Sequence, residues 1–168
     1  MSEYQDTPWL VMRTKSRHEG VVEQVLKQKE VVAYLPKRRE LRSYQGRKRT
    51  VDVPLFPGYL FVRPRADQYE GMRYIRGSCG LVLAADSKPA RLPERDLAAV
   101  KVLAESDIVV RVDETLMAGQ RVKVIAGPLT GLEGELVRVK NRELLVVNVE
   151  LVNSSMRVEV GRDAVSLV

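Results

Sequence analysis

From Gly119 to Val168 the chain carries no helical period. Gly127, Gly131, Gly134 and Gly161 would each cost about 1 kcal/mol inside a helix. Val146, Val147, Val149, Val152, Val158 and Val160 are stiff at χ1 and favour strands. Strands are therefore expected at 121–125, 133–140, 143–151, 155–160 and 164–167, a set that suits a small SH3-like barrel. Upstream the pattern differs. Trp9 to Arg13 reads as a strand, and Ser16-Arg-His-Glu19 has the spacing of a capping box opening a helix with Val22, Val25 and Leu26 on one side. Val31 to Leu35 reads as a second strand, stopped by Pro36.

After Pro36 comes a basic stretch with Gly46 at its turn. Leu41 to Tyr44 and Thr50 to Val53 are expected as the arms of a hairpin. Leu55 to Arg63 is expected as one strand, Asp67-Gln-Tyr-Glu70 as a second capping box, Leu81 to Ala84 as a short strand, and Pro93 as the start of a helix lined by Leu97, Val100 and Leu103. The alternation makes the fold class α+β. A sandwich of one sheet and helices spans 5–105, a linker 106–117 in which the Ile108-Val-Val-Arg-Val112 run allows an extended piece, and an all-β domain 118–168.

The charge is divided in the same way. Residues 1–105 hold 20 Lys and Arg against 13 Asp and Glu, and the remainder holds 8 against 9, so all of the net +6 lies in the first part. Such asymmetry points the first domain at nucleic acid and the second at another partner. The hydrophobic share of 45% excludes wholesale disorder. The apolar runs fall short of the roughly 18–20 residues of a membrane helix, and the polar Met-Ser-Glu-Tyr start predicts a cytoplasmic protein without a signal region. A single Cys, Cys79, and a single His, His18, argue against an internal disulfide and a structural zinc site. No phosphate-cradling loop or nucleophile motif is present, so no catalytic residue, metal or cofactor is expected.

Two segments carry chemistry. Lys37, Arg38, Arg39, Arg42, Arg47, Lys48 and Arg49 face one acid, Glu40. Guanidinium groups fork onto phosphate oxygens and release counterions. The plain alternative is a charged hairpin that protects a sheet edge. The second segment, Pro54-Leu-Phe-Pro-Gly-Tyr-Leu-Phe-Val62, holds both phenylalanines of the chain. Read as one extended strand, it sets Tyr59 and Phe61 on one face and Phe56 on the other. Either both faces are sealed in the core, or one leaves an aromatic groove open to a partner helix.

The Gly119–Val137 stretch resembles a KOW motif, and the stretch from Trp9 through Pro54–Val62 to Arg76-Gly77 resembles the N-terminal domain of the NusG family. The Gly46-Arg-Lys-Arg-Thr50 turn before Pro-Leu-Phe-Pro is similar to RfaH-like specialised paralogs. The resemblance implies a NusG-type α/β sandwich followed by a KOW barrel, in a monomeric, non-enzymatic transcription elongation and antitermination factor that suppresses pausing. It implies that Phe56, Tyr59 and Phe61 meet the clamp helices of RNA polymerase and that Gln68, Tyr69 and Glu70 meet the opposite pincer. It further implies that Lys15, His18 and Arg76 approach DNA, including the non-template strand. Arg42, Arg47, Lys48 and Arg49 join them as nucleic-acid candidates on charge alone. Gly119, Gly127, Gly131 and Gly134 shape the KOW turn, and that domain recruits Rho or a small-subunit ribosomal protein. Two competing expectations stand beside this one: a ribosome-associated or RNA-binding KOW protein that never meets polymerase, and a nucleic-acid enzyme, which would need an acidic metal cluster that the sequence does not show. The C-terminal domain is expected as β-structure, although RfaH itself can refold that part as a helical hairpin.

Overall fold

The computed structural model describes residues 7–114 and 119–168. The chain divides into two compact units, Met1–Glu94 and Arg95–Val168. The first is built on a four-stranded antiparallel sheet of β1 (Leu10–Thr14), β2 (Val32–Tyr34), β5 (Tyr59–Arg63) and β6 (Ser78–Leu81), in the order β2-β5-β1-β6. Opposite residues of an antiparallel pair share a face. The register Leu10↔Val62 and Met12↔Leu60 therefore gathers these four apolar side chains on one side. Helix α1 (Glu19–Gln28) brings Val22 and Leu26 to the same core, which Val31, Met72 and Ile75 complete. Val11 and Phe61 pair on the other face, and both are buried.

The basic arm stands apart as a two-stranded ribbon, β3 (Lys37–Tyr44) with β4 (Arg47–Pro54). It is longer than the apolar pattern suggested, because its charged residues also pair: Lys37↔Pro54 through to Tyr44↔Arg47. Gln45 and Gly46, with φ of 48° and 76°, close it. Two successive positive φ values are those of a type I′ turn, whose twist matches the flanking strands.

Three local expectations are corrected. Helix α1 has His18 at its N-cap and no side-chain cap. Arg17 has a φ of 62°, so the chain turns sharply after Ser16, and Glu19 is buried instead, accepting the Gly58 N–H at 2.8 Å. The second box is also displaced. Gln68, not Glu70, reaches back, and its Oε1 accepts the Arg65 N–H at 2.9 Å; the segment forms two short 3-10 turns, Ala66–Gln68 and Glu70–Tyr74. Finally, the Leu55–Arg63 strand begins only at Tyr59, because Phe56-Pro57-Gly58-Tyr59 is a turn. The Tyr59 N–H bonds the Phe56 carbonyl at 3.1 Å, and Gly58 sits at φ 85°. Proline then glycine at the two central positions is the signature of a type II turn.

Helix α2 (Glu94–Glu105) starts at the boundary and, apart from Glu94, falls with the second unit. The sandwich was expected to run to residue 105, whereas the compact units are divided at Glu94–Arg95. The second unit contains a six-stranded antiparallel sheet of β7 (Arg111–Glu114), β8 (Gln120–Val124), β9 (Glu133–Val139), β10 (Arg142–Val149), β11 (Ser154–Glu159) and β12 (Val165–Leu167), ordered β12-β8-β9-β10-β11-β7. Five of these are the expected strands. The sixth, β7, comes from the expected linker and pairs with β11. Val122, Val124, Leu145, Val147, Val149, Met156 and Val158 are buried. Ser155 is buried too, directly across from Asn148, and its hydroxyl donates to the Asn148 Oδ1.

Candidate nucleic-acid and partner surfaces

The turn at Pro57-Gly58 decides what the aromatic segment does. It folds Phe56 back so that its ring meets Phe61 edge-on, with centroids 6.2 Å apart at 67°. Tyr34, opposite Phe61 in the β2–β5 register, stacks on the same ring at 6.3 Å. Phe56 is 2% and Phe61 0% exposed. The expectation of a groove lined by three open rings therefore fails for these two. Strand alternation, which placed them on opposite faces, does not run through a turn. Tyr59 is half-buried, across from exposed Arg13.

The three residues expected on the opposite pincer have separate local roles. Gln68 closes its own turn, Tyr69 packs against the α1 core, and Glu70 is exposed.

Lys15, His18 and Arg76, by contrast, are brought together. The Lys15 N–H bonds the Gly77 carbonyl at 2.8 Å, which ties the end of β1 to the loop carrying Arg76. His18 lies against Gly77, where an added Cβ would come within 2.8 Å of the His18 Cβ. The His18 Nδ1 donates to the Ser16 carbonyl at 2.7 Å, so in the neutral ring Nε2 is the acceptor. Lys15, Arg17 and Arg76 are exposed around it. The sequence reading missed two neighbours. Tyr74 is 77% exposed, and the Arg73 guanidinium lies 5.2 Å from its ring centroid, within cation–π range. The signal was present in Arg73-Tyr74-Ile75-Arg76, an aromatic between two cations. Exposed cations and, two residues before Arg76 in the chain, an exposed ring are the two elements that hold a nucleic-acid strand by phosphate and base.

Arg42, Arg47, Lys48 and Arg49 all lie exposed on the tip half of the β3–β4 ribbon. Arg42 engages Glu40 at 3.2 Å.

In the second unit Gly127 and Gly131 hold left-handed turn conformations at φ 88° and 94°. The Gly131 N–H closes the turn on the Val124 carbonyl at 2.8 Å. Gly134 serves close approach rather than a bend, since a Cβ there would sit 2.6 Å from the Val146 carbonyl oxygen. Gly119 likewise lies against the Leu136 carbonyl.

Among the described residues no group of three or more His, Cys, Asp or Glu could hold a metal ion. Cys79 is free and exposed. No described helix is long and apolar enough to cross a membrane.

Comparison with known proteins places this geometry. The family model described as "Transcription termination factor nusG" matches residues 7–101. A solved structure titled "Domain interaction in Thermotoga maritima NusG" aligns over 98% of this chain and 99% of that one, with a TM-score of 0.57 and 22% identity. Two conformations of the MjSpt4:Spt5 complex also align, over 95% of this chain and 96% and 97% of those, at 18% identity and TM-scores of 0.32 and 0.31. No curated protein matches the sequence. The family match covers more than half of the chain, runs through the sheet, the basic ribbon and the Lys15–Arg76 cluster, and agrees with the α+β architecture of the aligned bacterial structure; this protein belongs to the NusG family of transcription factors.

Proposed function

We propose that this protein is a cytoplasmic, non-catalytic elongation factor that binds RNA polymerase through its first unit and touches the nucleic acid of the elongation complex. The observation that supports the reading best is the Lys15–His18–Arg76 cluster, assembled from two separate loops within a NusG-family domain. The RfaH-like turn at Gly46–Thr50 favours a specialised antiterminator over a general factor. Binding alone suffices for the activity. A factor with higher affinity for the closed polymerase clamp lowers the population of paused states, whereas equal affinity for both would change nothing. The second unit recruits Rho or a small-subunit ribosomal protein.

Burial of Phe56 and Phe61 alters the expected polymerase contact. Tyr59 and its neighbour Arg13 form the reachable part of that face, and the two phenylalanines support them from within. Gln68, Tyr69 and Glu70 remain candidates for the second pincer through exposed Glu70 and its neighbours.

Co-purification of the full chain with core polymerase tests the reading. Tyr59→Ala should lower retention while the circular dichroism spectrum is unchanged. Retention equal to the wild type would remove this face from the contact. Tight binding to structured RNA, with no retention on polymerase at all, would favour a ribosome-associated KOW protein instead.

A further inference from the structure

The β3–β4 register sorts the charges of the ribbon in a way that their order in the chain does not reveal. Pairs Tyr44↔Arg47, Arg42↔Arg49, Glu40↔Val51 and Arg38↔Val53 lie on one face. Pairs Ser43↔Lys48, Leu41↔Thr50, Arg39↔Asp52 and Lys37↔Pro54 lie on the other. The first face thus holds four arginines, one acid and the only aromatic of the ribbon. The second holds both lysines, one arginine and one acid, with Arg39 directly opposite Asp52.

These two faces differ in chemistry as well as in charge. Like charges set opposite one another across a ladder are destabilising, yet Arg42 faces Arg49, and Arg47 stands one pair beyond them. A ribbon kept charged only for solubility would gain by keeping like charges from facing one another, as on the second face, where every cation stands opposite a neutral residue or Asp52. Tyr44 is 70% exposed beside the Gln45-Gly46 turn. An exposed tyrosine sharing a face with Arg42, Arg47 and Arg49 offers an aromatic ring and planar cations on which bases can stack.

We propose that this arginine–tyrosine face is a docking surface for single-stranded nucleic acid, with bases stacked on Tyr44 and on the guanidinium planes and phosphates held by Arg42, Arg47 and Arg49. The proposal rests on the nucleic-acid contact proposed above and extends it from the Lys15–Arg76 loops to this ribbon. Charge complementarity selects a polyanion. The aromatic selects an unpaired strand, because a duplex keeps its base faces stacked inside and presents no face to Tyr44.

Fluorescence anisotropy of the full chain with a short oligothymidylate, an oligouridylate and a duplex of equal length tests this without polymerase. Failure here would leave co-purification with polymerase untouched, so the two readings fall separately. Tyr44→Ala should weaken binding of the better single strand about 5- to 150-fold, the range for loss of one base–aromatic stack, and Tyr44→Phe should hold it. Arg42→Ala with Arg49→Ala should weaken it and reduce the log–log salt slope by about 0.7 for each lost phosphate contact. Lys37→Ala with Lys48→Ala, on the opposite face, should do clearly less. The preferred oligonucleotide identifies the strand as DNA or RNA. The proposal is overturned by a single strand that binds no better than the duplex, by indifference to Tyr44→Ala, or by equal losses from the two double variants. All substituted side chains are exposed, so an unchanged circular dichroism spectrum is expected throughout.

Discussion

Replacing Gly77 by alanine tests the joint that builds the Lys15–Arg76 cluster. Gly77 sits at φ 87°, and a Cβ there would lie 2.8 Å from the His18 Cβ, 3.2 Å from its Cδ2 and 3.2 Å from the Val22 Cγ2. Two costs add. An L-residue in the left-handed region costs roughly 1–2 kcal/mol. Overpacking against a core valine and a Cβ close to its own backbone costs roughly 1–3 kcal/mol. The loss should therefore be about 2–5 kcal/mol. Gly46→Ala is the control, because Gly46 has a similar φ of 76° but nothing within 4 Å of its Cβ position. It should lose only about 1–2 kcal/mol, and the difference isolates the crowding. Urea unfolding of the full chain, followed by circular dichroism, measures both. Because Lys15 hangs from the Gly77 carbonyl, Gly77→Ala should also weaken nucleic-acid binding under conditions where the chain stays folded. Equal losses for the two alanines would show that His18 does not press on Gly77, and the cluster geometry would be wrong.

Three further outcomes are expected. Glu19→Ala leaves the Gly58 N–H without its 2.8 Å acceptor, a loss of about 1.5–3 kcal/mol for a charge-assisted bond in urea titration, while Glu19→Gln recovers part of it. Asp96 has its pKa raised from 3.8, chiefly by burial, with Arg95 lowering it and Glu150 raising it. Its contribution is fully present below about pH 3.8 and is lost as pH rises through the higher folded value, so Asp96→Asn should raise the Tm at pH 7 and leave it unchanged below pH 3.8. Phe56→Ala should cost about 3–5 kcal/mol, where Tyr59→Ala costs far less; a near-neutral Phe56→Ala in a thermal melt would contradict the burial of that ring.

The second unit was legible almost strand by strand, because Val-rich alternation between glycine turns is a local signal and the register obeys it. Only β7 was half legible: the Ile108–Val112 run allowed an extended piece inside the linker, but its pairing depends on the edge that β11 offers. In the first unit the local signals competed with distant ones. Ser16 and Glu19 have capping-box spacing, yet the carboxylate serves a backbone amide 39 residues away, a partner no window reveals. The Pro57-Gly58 turn was readable as a dipeptide, and once it is honoured the phenylalanines fall together rather than apart. The cluster at Lys15, His18 and Arg76 depends on one backbone bond between two loops, so charge suggested its members and only the fold could assemble them. Tyr74 lay between two arginines without a motif to mark it.

The placement of chemistry in the first unit follows a division of labour. Its sheet has residues with no exposure on both faces, Leu60 and Val62 on one and Val11 and Phe61 on the other, so apart from the Tyr59–Arg13 pair at the strand ends the sheet offers little to a ligand. The chemistry instead stands on a protruding ribbon and on loops pinned by single hydrogen bonds. This is how a rigid scaffold carries recognition on segments that tolerate change. The consequence is separable damage. Substitutions at Phe56 or Phe61 should cost about 3–5 kcal/mol and at Glu19 about 1.5–3 kcal/mol, whereas Tyr44, Arg42, Arg49, Tyr74 and Arg76 are exposed and their loss should weaken recognition with stability changes within about 0.5 kcal/mol. Were the exposed positions to unfold the chain as readily as the buried ones, the ribbon and loops would be part of the core, and their arginines would have to be explained as structure.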